Sequence, residues 1–520
     1  MKKSILLAVF FTAFFPKAQN TLDTPFKYLE YDIQKIQSLY KDHKVSVKEV
    51  VEAYLKRIND VDKNGAQLNS IITINPDAIK IADSLDHINV NFKNQQLFGI
   101  PVLLKDNIDT HDKMPNTAGS LALKNSFPLQ DSYLVKKLRA AGAVIIGKTN
   151  LSEWANFRGM KSTSGWSGLG GLTKNPYQLD RNTCGSSAGS GAAISANLGI
   201  VAIGTETNGS IVCPSSINGV VGLKPTVGLI SRQGIIPISS SQDTAGPMAR
   251  TVKDIAISLG SMVGEDKNDV KTIGNTPFLH KDYTLFLNVN GLKGKRLGYV
   301  KGITQGGSKK VDELFLETLK VLESQGAVIV EIENDLLSGE VHEKSLELMI
   351  DEFKDGLNDY FTSLGKNAPI KNIDELIAFN KDNQEELKYF GQEFLELSAK
   401  SKGTKDKNYA KAVKIAQEGS RQKGIDLAMK KYKLDAIISP TTTEAWKTDL
   451  ENGDHYSFGS ADAAAIAGYP SLTLTMGYID GLPVGILFSA EKWSEGKLIN
   501  MAYTFEQAHP QRKVPQFLKE

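Results

Sequence analysis

The chain has 520 residues, 41% of them hydrophobic and 23% charged, and its 61 basic and 59 acidic side chains leave a formal net charge of +2. Such a composition belongs to a globular protein with enough apolar sequence for a large core. The near balance of charge excludes the basic excess expected of a nucleic-acid partner or of attachment to an anionic membrane.

At the start, Lys2 and Lys3 precede the apolar run SILLAVFFTAFF (4–15), and Ala18 follows shortly after. A basic opening, a short apolar stretch and a small residue at a cut point describe an export signal. Cleavage is expected after Ala18, leaving residues 19–520 in the periplasm or outside the cell. The run is too short for a permanent membrane helix, so no stable membrane association is expected. Ser46 and Glu49 form a capping box. Behind it Val47, Val50, Val51, Tyr54, Leu55 and Ile58 recur at helical spacing.

From about residue 97 the text changes to short apolar runs broken by glycine. Residues 100–104 and 143–146 read as buried strands, and 133–141 between them as a helix. This alternation predicts an α/β fold with a largely buried sheet. Residues 159–234 then hold 15 of the 45 glycines. They are interleaved with apolar runs at 192–198, 200–203 and 220–223, which points to tightly turned folded structure instead of a linker. Strands are expected at 296–300 and 327–332, with a helix at 311–324 between them. Residues 335–430 are rich in Lys, Glu and Leu and predict helices at 340–361 and 373–399. Strand text returns at 436–438, 471–476 and 482–488. A sheet that opens early and closes late predicts one domain with a helical insert at about 335–430. The catalytic core is then expected at about 97–275 and 430–490. Cys184 and Cys213 are expected as buried free thiols, since a crosslink so close to the reactive loops would constrain them. One disulfide is the alternative in an exported chain.

Three hydroxyls crowd the stretch CGSSAGS (184–190). Residues 185–189 fit G-x-S-x-G, which would make Ser187 an elbow nucleophile. The downstream histidines, His280, His342, His455 and His509, lie in no glycine-bounded loop, and 175–183 is polar loop instead of the strand an elbow needs. No Lys-Ser/Thr follows the glycines, so a Walker A loop also fails. A small-residue loop capping a helix is the plain structural alternative. Lys105 ends an apolar strand, where burial would disfavour the ammonium and leave an amine able to act as a base; a lysine emerging from the strand end to meet Asp106 or solvent is the alternative. Ser210 follows Asn208-Gly209, a tight turn whose successive N–H groups can converge as an oxyanion hole. An ordinary Asn-Gly turn is the alternative there.

Taken together, GIPVLLKD (99–106), CGSSAGSGAA (184–193) and GTETNGSIVCP (204–214) resemble the amidase signature family. The 24 residues from Ser186 to Ser210 agree with that family's spacing. Shorter matches at 149–153, 222–226, 243–248, 467–477 and 481–485 extend the resemblance over most of the chain. It implies a single α/β domain, a central mixed β-sheet covered by α-helices on both faces, with a helical insert. It also implies a triad of Lys105 as neutral base, Ser186 as proton relay after a cis peptide, and Ser210 as nucleophile. The backbone N–H groups of Thr207, Asn208, Gly209 and Ser210 would form the oxyanion hole, and no metal or organic cofactor is implied.

Glu206, Asn208 and Val212 replace Asp, Gly and Arg of the common form, and Ala188 replaces a glycine. These departures bear on substrate choice. They are most similar to family members that release ammonia from C-terminal peptide carboxamides. Hydrolysis of small or aryl amides, or a glutaminase-type amidotransferase subunit, are the alternatives. Trp154, Phe157, Arg158 and Trp166 lie in and after a family-like block (150–159) and are expected to face a peptide or small-molecule amide. Packing in the core is the alternative for them.

Overall fold

The computed structural model describes residues 26–519 apart from 93, 303, 305, 306, 334 and 335; the expected export signal lies outside them. Strands β1 (Ile71–Ile74), β2 (Pro101–Lys105) and β3 (Val144–Thr149) come first. The two-residue strands β4 (Trp166–Ser167) and β5 (Gly171–Leu172) pair only with each other. Next come β6 (Val201–Glu206), β7 (Val221–Lys224) and β8 (Thr244–Ala249). After them follow β9 (Arg296–Val300), β10 (Val328–Ile332), β11 (Ala436–Pro440), β12 (Ser471–Ile479) and β13 (Leu482–Ser489).

All but the small hairpin join one eleven-stranded sheet, ordered β1-β3-β2-β6-β8-β7-β12-β13-β11-β9-β10. The sheet is mixed: β3-β2-β6 and β10-β9-β11 run parallel, and the pairs linking them are antiparallel. Early and late sequence meet where β12 pairs with β7, Ser471 opposite Lys224, which closes a single domain. Strands β2, β3 and β6 are buried along their whole length, as their continuous apolar text requires of a sheet covered on both faces. Parallel pairing of β2 with β6 brings Lys105 and Glu206 to the same edge of the sheet, where α/β folds bind ligands.

The capping box at Ser46 and Glu49 is formed, and it opens the helix Val47–Arg57. Helices Tyr133–Ala140 and Lys309–Ser324 stand where the apolar spacing places them. Two strands, β1 and β8, are not among those expected, although the β-branched IITI of β1 is strand-like text. β1 is only four residues long. β8 contains Gly246 and Pro247, which argue against a central strand. Pro247 nevertheless sits opposite Ile203, and a Cβ on Gly246 would stand 2.0 Å from the Leu223 carbonyl, so the close approach of β7 demands glycine there.

The helical stretch expected at 373–399 is two helices, Ile373–Asp382 and Glu393–Lys400. The break carries Glu386 inward, where it accepts hydrogen bonds from the Ser120 hydroxyl and the Leu121 amide. The long helix Gly339–Ser363 lays Phe353, Leu357 and Phe361 on Trp154 and Phe157, a second apolar cluster joining the insert to the sheet. Each such side chain contributes roughly 1.5–3 kcal/mol by burial.

Candidate active site

Lys105 is the last residue of β2 and is fully buried. Its Nζ lies 2.7 Å from Ser186 Oγ, 2.9 Å from Thr205 Oγ1 and 3.2 Å from the Thr205 carbonyl. Nζ donates to all three; in the neutral amine two N–H groups still serve Thr205 and the lone pair is free to take the Ser186 proton. Burial pushes the Lys105 amine down to about 7, against the opposing pull of the Asp243 and Glu206 carboxylates. The group can therefore take up a proton near neutral pH.

Ser186 follows a cis peptide bond from Gly185. Its carbonyl accepts the Ser152 amide at 3.1 Å, which fixes the loop in front of helix Ala188–Ser195. The neighbouring hydroxyls are committed elsewhere. Ser187 Oγ donates to the Thr205 carbonyl and accepts the Thr205 amide, so it is held by β6 and cannot serve as an elbow nucleophile. Ser190 Oγ pairs with Thr149 Oγ1 at 2.8 Å. The four histidines weighed for a Ser-His-Asp triad have other partners: His342 faces Asp462, His455 faces Asp449, His509 meets the Met476 carbonyl, and His280 packs on Tyr283 and Phe286.

Ser210 stands between β6 and the short helix Val212–Ile217. The Ser187 amide donates to the Ser210 carbonyl at 3.1 Å and ties the two serine loops together. Ser210 is 8% exposed whereas Lys105 and Ser186 are at 0%, so it is the member of the three that solvent reaches. Glu206, which the motif singled out only as a departure, organises this loop. Its Oε1 accepts the Gly209 amide at 2.8 Å, and its Oε2 accepts those of Ile211 and Val212 at 2.7 and 3.0 Å. The Gly209 N–H, one of the four expected oxyanion donors, is thus committed to Glu206. Thr207, Asn208 and Ser210 are left as the expected donors. Gly209 has φ +82, a conformation that favours glycine. The Asn208 side chain favours the charged form of the Asp462 carboxyl, an influence that the glycine of the common motif would lack.

Asp243 is a second organiser that sequence reading missed as such. It accepts Thr207 Oγ1 at 2.5 Å and the Ile238 and Ser239 amides at 2.8 and 2.9 Å. Burial raises its carboxyl to about 6. Cys184 and Cys213 are joined in a disulfide with a Cα–Cα separation of 6.0 Å, correcting the expectation of free thiols. The bridge is buried. It packs among Tyr177, Ile217, Ala445 and Trp446, and it straps the Ser186 loop to the Ser210 loop.

Trp154, Phe157, Arg158 and Trp166 are buried, and none lines the cavity of about 790 Å³ that opens beside Thr205–Thr207. The expectation that they face substrate is corrected. Phe157 stacks on Phe394 at 4.5 Å, and Trp154 meets Phe361 edge-on. Arg158 is 2.8 Å from Glu153 and 3.3 Å from Glu386, with its guanidinium over Phe390 and Trp166. A buried guanidinium needs such partners, and here they fasten the insert to the core.

A mixed α/β sheet carrying a buried lysine against a serine, beside a second serine in an amide-rich turn, defines an amidase, an enzyme acting on C–N bonds. The chain belongs to the amidase signature family, whose Amidase profile matches residues 49–499. A probable amidase of Arabidopsis thaliana is 40% identical, over 96% of this chain and 94% of its own length. Native peptide amidase from Stenotrophomonas maltophilia is similar in structure, with TM-score 0.89 and 46% identity over 95% of this chain and all of the other. A glutamyl-tRNA(Gln) amidotransferase component of Thermoanaerobacter pseudethanolicus is 34% identical over 93% and 97% of the two chains. Among the described residues, no helix is long and apolar enough to cross a membrane.

Proposed function

We propose that the protein is an exported serine amidase that hydrolyses C-terminal carboxamides of peptides to the free acid and ammonia. The observation that carries the mechanism is the 2.7 Å contact between the buried Lys105 amine and Ser186 Oγ, beside the loop of Ser210. Ser210 gives its proton to Ser186 as its Oγ attacks the amide carbonyl, and Ser186 passes its own proton to Lys105. The amides of Thr207, Asn208 and Ser210 receive the developing oxyanion. The proton returns through Ser186 to the departing nitrogen, which leaves as ammonia. Water then attacks the ester on Ser210 by the same relay and releases the acid.

The likeness to peptide amidase supports the peptide reading. Lys2-Lys3 and the apolar run after them support export. A panel of amidated peptides, free glutamine and asparagine, fatty amides and aryl acylamides, assayed for ammonia or amine release, tests the substrate class. Amidated peptides are expected to give the highest kcat/KM. A preference for free glutamine, fatty amides or aryl amides would overturn the peptide reading.

A further inference from the structure

The cavity beside the Ser210 loop has one sign of charge. Its only basic lining side chain among the described residues, Arg232, is neutralised by Asp269 through bonds of 2.9 and 2.6 Å and donates to the Ser240 carbonyl. Six further carboxylates line the space. Three are committed to the fold: Glu206 and Asp243 to the loops described above, and Glu352 to Ser239, Ser241 and Tyr409.

The other three keep acceptor capacity. Asp109 uses Oδ1 for both Asn116 and Tyr360, and Asp355 uses Oδ2 for both the amide and the hydroxyl of Thr404. Each therefore has an oxygen left over. Asp359 is exposed and has no partner among the described residues. Asp355 and Asp359 are four apart on helix Gly339–Ser363, so they share a face, where like charges repel unless a cation lies between them.

An independent feature at the inner end of the same cavity also lacks a partner. Asn107 is 2% exposed; its Nδ2 donates to Thr205 Oγ1, and its Oδ1 accepts nothing among the described residues. A buried acceptor without a donor carries a desolvation cost, which an N–H from a bound molecule removes. Asn107 shares Thr205 Oγ1 with Lys105, so this acceptor lies at the reacting end, while Asp355 and Asp359 line the cavity from helix Gly339–Ser363.

We propose that this cavity selects acyl chains bearing a cation: short amidated peptides whose free α-ammonium, or Lys or Arg side chain, lies against Asp109, Asp355 and Asp359 while a peptide N–H donates to Asn107. The volume of about 790 Å³ is in the range of small-molecule sites. The inference rests on the peptide-amide reading and names the kind of peptide.

The test is the ratio of kcat/KM for one dipeptide amide with a free amino terminus to that for its N-acetylated form. The wild-type ratio is expected to be roughly tenfold or more at low ionic strength and to shrink in high salt. Asp359→Asn and Asp355→Asn should each lower the ratio, and Asp359→Lys should lower it most and improve the N-succinyl peptide relative to the acetyl one. Asp359 is exposed, so its variants do not disturb the core. A wild-type ratio near one, or a ratio unmoved by these changes, overturns the proposal. If both peptides are cleaved without preference, the cationic selection fails and the peptide-amide reading stands. If neither is cleaved, the reading itself fails.

Discussion

The loops around Ser186 and Ser210 and the helix lining the cavity beside them are built in contrasting ways. In the loops nearly every polar atom near the serines has a fixed partner: Lys105 has three contacts, Glu206 holds three amides, and the disulfide closes the far side. On helix Gly339–Ser363, Asp355 and Asp359 keep carboxylate oxygens open to the cavity. The difference separates two tasks. Proton transfer needs atoms held to fractions of an ångström, so the reacting end is over-determined. Selection among acyl chains needs charge and space, so the helix side is left unsatisfied.

Changes at the loops should therefore act on kcat, and the largest effect is expected at Ser210. Ser210→Ala should lower amide hydrolysis by roughly four orders of magnitude or more, with unchanged circular dichroism. Lys105→Ala and Ser186→Ala should each cost roughly three orders of magnitude, because either one breaks the proton path. In the wild-type enzyme kcat/KM for a neutral peptide amide should rise with pH through about 7 and then level off. Below that value Lys105 is an ammonium and offers no lone pair to Ser186. A profile that falls as pH rises through 7 would exclude Lys105 as the base. Glu206→Ala should lower kcat roughly a hundredfold with a smaller change in KM, since it frees the Gly209, Ile211 and Val212 amides and loosens the oxyanion donors.

The smaller effects are on stability. Arg158→Met leaves Glu153 and Glu386 buried without their cation and should cost about 3–5 kcal/mol in chemical denaturation. The kcat of the molecules that remain folded should be preserved. A selective rise in KM at unchanged stability would restore Arg158 as a substrate contact. Removing the disulfide, which closes a loop of 29 residues, with paired serines should cost about 3.5 kcal/mol through loop closure alone. A fall in kcat beyond that loss would mean that the strap also positions the serines.

The two regions were also unequally legible in the sequence. Lys105, Ser186 and Ser210 sit in short contiguous blocks: a strand end marks Lys105, an Asn-Gly turn marks Ser210, and Ser186, which follows polar loop, is marked by the family resemblance of its block. The free carboxylates of the cavity wall come from Asp109, in the loop after β2, and from Asp355 and Asp359 more than two hundred positions later, in helical text where acidic residues usually face water. Nothing local marks Asp355 or Asp359 from the other exposed acids of the insert. The misreadings have the same origin. Trp154, Phe157, Arg158 and Trp166 lie in and after a family-like block, yet the insert packs over them. Whether Cys184 and Cys213 meet depends on how the two serine loops are docked, which spacing alone leaves open. Pro247 reads as a strand breaker until Ile203 and Val221–Lys224 are placed on either side of its strand.

The most direct test of the triad is the identity of the acylated residue. An activated ester of a peptide acid should be mixed with the enzyme, quenched in acid during the first turnover, and the protein digested for mass mapping. A single acyl group on Ser210, absent in Ser210→Ala and accumulating more slowly in Lys105→Ala, is the expected result. An acyl group on Ser187 or Ser186, or turnover of the ester with Ser210 unmodified throughout, would contradict the account.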